Sequence, residues 1–295
     1  MKAYLDSFFA IFEYSQEDID SIMGAYATIS ENSVSFCMLL DVFDLYRKNV
    51  NCDYEDLIAR CDAIASLCAI DPYTMYLLMF ICLSKQLKEN YCSRGIDEEI
   101  WANGMYDLKY KMLECKKAKG VCGTFVPTWY KGFFNMTRFA LGRLQFEIKP
   151  FGRTYEKDGK KLFPTSPVIN IHIPQTGTPL DKASRMDAYD KARVFFADAF
   201  TDSPMAFMCH TWMLYQKNRE WLKEASNIRS FMEDFDIIET DTVAEGRCPF
   251  AWLIFGMEYT GDPEKLPENS SLQKAYKDAL RRGDHLGRGY GVFFA

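Results

Sequence analysis

Apolar residues recur every three to four positions from the N-terminus to about residue 120, the spacing of amphipathic helices, and then give way to alternation. Ser15 followed by Glu17, Asp18 and Asp20 predicts a helix start with acidic residues where the helix dipole favours them. Leu57, Ile58, Cys61, Ile64, Ala65 and Cys68 share one face of a helix that begins near Asp53 and stops at Asp71-Pro72. The next helix, Tyr73 to Asn90, is apolar on nearly every side at its start, as expected at the centre of a bundle. Another opens on Asp97, Glu98 and Glu99 and closes on Lys116, Lys117 and Lys119 before Gly120. The Met and aromatic stripes of these helices read as core.

Beyond Gly120 come Gly123, Pro127 and Gly132 with Trp129, Tyr130, Phe133 and Phe134, the expected junction between a helical domain over 1–122 and a second domain over 123–295. The stretch Arg138 to Pro174 then predicts two strands around a polar, turn-rich segment. Leu144, Phe146 and Ile148 alternate with Arg143, Gln145 and Glu147, and Ile169, Ile171 and Ile173 alternate with Asn170 and His172. If the strands are neighbours, Arg, Gln, Glu, Asn and His share one sheet face.

Strands and helices continue to alternate. A helix with Ala188, Ala192, Phe195 and Ala199 on one side follows the Thr178-Pro179-Asp181 cap, and Met205 to Leu214 reads as a strand. Leu222, Ala225, Ile228, Met232 and Phe235 form a helical stripe. Further strands are expected at 235–243 and 249–260, a helix around Leu272 to Leu280, and an edge strand at 289–294. The fold class expected is therefore α+β, or mixed α/β: an all-helical domain followed by a mixed-sheet domain.

Composition narrows the partners. The 295 residues carry a formal net charge of -6, which excludes a nucleic-acid backbone as the main ligand. The longest apolar run, Met75 to Leu83, is too short to span a membrane, and the N-terminus lacks a secretory pattern, so a cytoplasmic protein without membrane attachment is expected. The 10 cysteines contain no C-x-x-C pair and the 3 histidines, His172, His210 and His285, are scattered, so reduced packed thiols and no metal site are expected.

Glu147 with His172 is the leading catalytic pair, because a histidine beside a carboxylate can act as a general base at neutral pH. The alternative is that Glu147 simply ion-pairs with Arg143; His210 is a second candidate base. Gln175 to Leu180 joins a strand to a helix, where backbone N–H groups can receive a phosphate, but Pro174 and Pro179 lack donors and Asp181 is acidic. Cys209 and His210 point to opposite strand faces and make a poor dyad. Asp236, Glu239 and Asp241 read as a solvated strand face, and Arg281, Arg282 and Arg288 near His285 as a local basic cluster.

LGRLQFE (141–147), VINIHIP with GTPLD (168–181), CHTWML (209–214) and SNIRSF (226–231) occur in an order that resembles a bacterial family. Its members pair an N-acyltransferase N-terminal helical domain with a GNAT-like C-terminal domain. The resemblance implies transfer of an acyl group from acetyl-CoA or another acyl-CoA to a small-molecule amine or peptide acceptor. It also implies a splayed pair of central strands that receives the pantetheine. Carried onto this chain, the cofactor contacts are Asn170, Ile171 and Ile173 on the strand and Gln175, Thr176, Gly177 and Thr178 in the loop. The superfamily's phosphate signature, Gln or Arg, two residues, Gly, any residue, Gly or Ala, is not met by QTGTPL. A non-catalytic binding or interaction protein that keeps the fold is the alternative.

Overall fold

A computed structural model describes residues 1–295, and the chain divides into two compact units, Met1–Phe139 and Ala140–Ala295. The first contains α1 (Lys2–Ile11), α2 (Gln16–Glu31), α3 (Ser33–Lys48), α4 (Tyr54–Cys68), α5 (Pro72–Ser93), α6 (Glu98–Lys119) and a short α7 (Lys131–Phe134). Polar caps start the helices where the sequence places them: Ser15 accepts from Asp18 N, Asp53 from Glu55 and Asp56 N, and Asp71 precedes Pro72 at the first turn of α5. Every residue from Thr74 to Ser84 is buried, because α1 to α4 and α6 all pack on α5.

The division falls after the aromatic segment, not at the composition change near residue 122. Phe80 lies 4.6 Å from Tyr130 and 5.1 Å from Phe134, ring centroid to centroid, and the Tyr46 hydroxyl donates to Phe134 O at 2.8 Å. These rings complete the helical core of the first unit. Gly123 allows the chain to cross the start of α5, since a Cβ there would meet Tyr73 C at 2.3 Å.

The second unit is built on a six-stranded sheet in the order β1-β2-β5-β6-β8-β7. Its strands are β1 (Arg138–Leu141), β2 (Leu144–Pro150), β5 (Pro167–His172), β6 (Ala206–Thr211), β7 (Asp236–Thr242) and β8 (Gly287–Phe294), while β3 (Tyr155–Lys157) and β4 (Lys160–Leu162) form a separate hairpin. Helix α8 (Lys182–Phe195) follows β5; α9 (Asn218–Trp221) and α10 (Asn227–Met232) follow β6; α11 (Ala251–Phe255) and α12 (Ser271–Arg281) lie between β7 and β8.

Phe146, Tyr189, Phe207, Phe235 and Phe293 pack as linked ring pairs on one sheet face, with centroids 5.0–5.9 Å apart. On the other face Phe151 and Leu162 pack with Val168, Met208, Tyr290 and Val292. The polar segment expected as a loop contributes the β3–β4 hairpin, turned by Asp158 and Gly159 at φ 51° and 75°.

Several expectations are corrected. Residues 249–260 do not form a strand: Phe250, Ala251, Ile254 and Phe255 are buried at helical spacing in and beside α11. An unbroken apolar run has no period by which to tell strand from helix. The C-terminal strand is internal, between β6 and β7, and its glycines admit close backbone contact: a Cβ at Gly289 would lie 2.1 Å from Leu214 O. The stripe at 222–235 is broken between α9 and α10.

Candidate active site

Strands β2 and β5 pair antiparallel with Gln145 opposite His172 and Glu147 opposite Asn170. The expected polar face is therefore assembled, except for Arg143. That residue lies outside β2, after Gly142 at φ 64°, and its guanidinium turns to the chain that follows β5. Gln145, Glu147 and Asn170 are buried and His172 is half-buried, so the face is a site within the protein.

Glu147 Oε1 is the focus of this cluster. His172 Nε2 lies 2.5 Å away, Lys149 Nζ 2.8 Å and Asn170 Nδ2 3.3 Å. The Glu147 carboxylate thus meets the imidazole edge-on through Nε2 and orients the ring. Asn170 Nδ2 is also 2.9 Å from His172 Nε2, which packs the amide against the pair.

Beside this pair the sheet opens. Strands β5 and β6 run parallel but match only at Ile169 with Phe207 and Asn170 with Met208. Past these positions they part, and a cavity of about 370 Å³ occupies the gap, lined by Ile171, His172 and Ile173 on one side and His210 on the other. Trp212 and Leu253 also line it, and Gln175 Nε2 donates to Leu253 O at 2.9 Å. Glu147 itself does not line the cavity; it reaches it through His172.

His210 has its own carboxylate. Its Nε2 is 2.9 Å from Asp241 Oδ2, and Arg288 approaches Asp241 at 3.1 and 3.2 Å. Burial pushes the Asp241 carboxyl up, but the Arg288 hydrogen bond and charge, with His210, hold it below the usual carboxylate range. A bulge between Ile237 and Glu239 brings Asp236 into phase with Glu239 and Asp241. The acidic face is not merely solvated: Lys157 binds Asp236 at 2.7 Å and Arg153 binds Glu239 at 2.6 Å, fastening the hairpin to the sheet. The other arginines of the basic cluster are likewise paired, Arg281 with Glu264 and Arg282 with Asp284.

The loop residues are placed unevenly. Ile171, Ile173 and Gln175 line the cavity, the Asn170 side chain faces Glu147, and Thr176, Gly177 and Thr178 lie farther along the chain, with Thr176 Oγ1 2.7 Å from Thr178 Oγ1. Cys209 is buried with Sγ donating to Ile171 O at 3.5 Å, and burial raises its thiol pKa, the opposite of an activated nucleophile. No group of three His, Cys, Asp or Glu is arranged to hold a metal ion, and no helix is long and apolar enough to cross a membrane.

The sequence pattern does not by itself reveal the partnership of His210 with Asp241 or the part of Trp212, Phe250 and Leu253 in the cavity wall. The acidic alternation at 236–241 was a signal for the first; for the second there was none, because α11 was expected as a strand.

The model of the GNAT-like C-terminal domain matches residues 139–293, and that of the N-acyltransferase N-terminal domain matches 3–136. The chain belongs to the family defined by this GNAT-like C-terminal domain, preceded by the N-acyltransferase N-terminal domain. Among solved structures it is similar to an acyltransferase in complex with decanoyl-CoA and teicoplanin, with a TM-score of 0.75 at 19% identity over 98% of this chain and 87% of that one. An acyltransferase in complex with decanoyl-CoA gives a TM-score of 0.74 at 22% identity over 98% and 86%. Another, in complex with CoA and 10C-teicoplanin, gives 0.75 at 19% over 98% and 87%. At these identities the likeness is one of fold. No curated protein sequence matches the chain.

Proposed function

We propose that this protein is an acyltransferase that moves an acyl group from acyl-CoA to an amine acceptor. The observation that carries the reading is the parting of β5 and β6 after Asn170 and Met208, with the gap lined by two histidines that each meet a carboxylate. Parted strands leave backbone groups on their facing edges without a partner strand, and the amides of a pantetheine arm can pair with them. Ile171, Trp212 and Leu253 supply an apolar wall for the thioester and acyl chain. The similar acyltransferases bound to decanoyl-CoA and CoA support this choice of donor.

In this reading Asn170 to Ile173 run beside the pantetheine, and Gln175 to Thr178 meet the pyrophosphate. His172 takes the proton of the acceptor amine as its nitrogen attacks the thioester carbonyl, and Glu147 stabilises the imidazolium that forms. A backbone donor near Ile173 stabilises the oxyanion. The tetrahedral intermediate collapses with cleavage of the C–S bond, and coenzyme A leaves as the thiolate. His210 with Asp241 is the second base available to the same gap. The acceptor is a small-molecule amine or peptide, a class supported by the teicoplanin held by a similar acyltransferase. Ten free cysteines suit a reducing cytoplasm.

Thermal melts with acetyl-, octanoyl- and decanoyl-CoA test donor binding, because a ligand specific to the native state raises the melting temperature. Free-thiol release with an amine acceptor panel then tests transfer. No melting shift at millimolar donor sinks the reading, and a shift with no transfer to any amine supports a non-catalytic binding protein instead.

A further inference from the structure

Arg143 sits in the turn between β1 and β2, where its neighbour Gly142 takes φ 64°. Its guanidinium gathers three carbonyls of the segment after β5: Nη1 donates to Pro174 O at 2.8 Å, Nη2 to Thr178 O at 3.3 Å and Nε to Pro179 O at 3.3 Å. A trans peptide plane sets C=O and N–H in opposite directions. A carbonyl turned toward Arg143 therefore turns the following N–H away from it, which applies to Gln175 after Pro174 and to Leu180 after Pro179. The N–H groups of Gln175, Thr176 and Gly177 have no acceptor within the chain. At the Pro174–Gln175 peptide the acceptor is thus drawn to the guanidinium and the donor left available, with the N–H groups of Thr176 and Gly177 next along the loop and that of Thr178 turned to Thr176 Oγ1.

This sorting matters because the usual routes to an anion site are closed here. Pro174 and Pro179 lack N–H groups, and a single glycine, Gly177 at φ 71°, stands where a glycine-rich loop would have several. The N-terminus of α8 is capped by the Asp181 carboxylate, which accepts from Ser184 N at 2.8 Å and is held below the usual carboxylate range by that hydrogen bond. That carboxylate already fills the helix end and competes with any other anion for its N–H groups. Any donors for a phosphate must come from the loop itself.

We propose that Arg143 is a positioning residue for donor binding: it holds Pro174 to Pro179 so that the loop presents N–H groups to the pyrophosphate of acyl-CoA. This rests on the acyl-CoA reading above. The residue acts through the loop.

Steady-state kinetics of the wild type, Arg143→Ala and Arg143→Lys test this with two donors, an acyl-CoA and the matching S-acyl-pantetheine, which lacks the pyrophosphate. Arg143→Ala is expected to raise KM for acyl-CoA about tenfold or more, the scale of losing charge-assisted hydrogen bonds. It should leave kcat, and both constants for acyl-pantetheine, within about twofold. Arg143→Lys falls between, because an ammonium lacks the planar fork that spans three carbonyls. Ethylguanidinium in solution should lower the KM of Arg143→Ala again. If the alanine variant does not fold, the lysine variant carries the comparison. Equal losses with both donors, or a fall in kcat at unchanged KM, overturn the positioning role and leave the acyltransferase reading standing. A wild type that uses neither donor overturns both.

Discussion

Glu147 and His172 lie diagonally across the β2–β5 ladder, with Oε1 2.5 Å from Nε2. A diagonal pair on one face of an antiparallel ladder is within reach of long side chains. The buried carboxylate orients the ring, and the ring in turn lines the cavity between β5 and β6. Glu147→Gln keeps the shape and removes the charge, and His172→Ala removes the base. Each should lower kcat by about 10²–10⁴-fold, the usual worth of general base catalysis, with the acyl-CoA melting shift retained. Full turnover in both variants would refute this pair as the base.

The Asp241 carboxylate is expected to make stability depend on acid. Its folded pKa lies below the unfolded value of about 3.9, so its contribution is complete above about pH 4 and is lost as pH falls through the folded value. The group is partly exposed and its pairing screened, so Asp241→Asn should cost about 1 kcal/mol or less at pH 7. Urea unfolding of both proteins should show this gap closing as pH falls toward 3. A gap that widens in acid would contradict the assignment.

Acyl-chain preference is expected to follow the cavity wall at Leu253. A Leu253→Trp substitution adds bulk there, and each methylene it displaces forfeits ~0.8 kcal/mol of burial. The variant should keep acetyl-CoA turnover and lose the longer donors progressively. A uniform loss across chain lengths would remove the acyl chain from this wall.

Gly289→Ala should destabilise the second unit by about 2–4 kcal/mol in denaturant titrations. The added Cβ would meet Leu214 O at 2.1 Å, and backbone on both sides resists displacement. Gly24→Ala, on an open helix face, is the control and should be neutral or slightly stabilising. Equal effects of the two changes would show that β8 relaxes.

Much of the site was legible because strand periodicity is local. Once β2 and β5 pair, alternation alone assigns Gln145, Glu147, Asn170 and His172 to one face. Arg143 was misassigned to that face because the chain turns at Gly142 before β2 begins. The α11 segment was misread because a run buried on several sides carries no period. Asp158-Gly159 is a hairpin signal in the sequence, but the strands on either side of it are mostly charged and carry no apolar alternation.

By itself the sequence determined the helical first half, the change to alternating elements, the faces of β2 and β5 and the motif order that marks the family. These are properties of neighbouring residues, set by backbone geometry and side-chain period. Only the tertiary structure decided that β5 and β6 part after two matched pairs, that Asp241 reaches His210 from across β8, and that Arg143 gathers the loop beyond Pro174. Those relationships join residues distant in the chain, and their geometry depends on strand order, bulges and turns that no local pattern encodes.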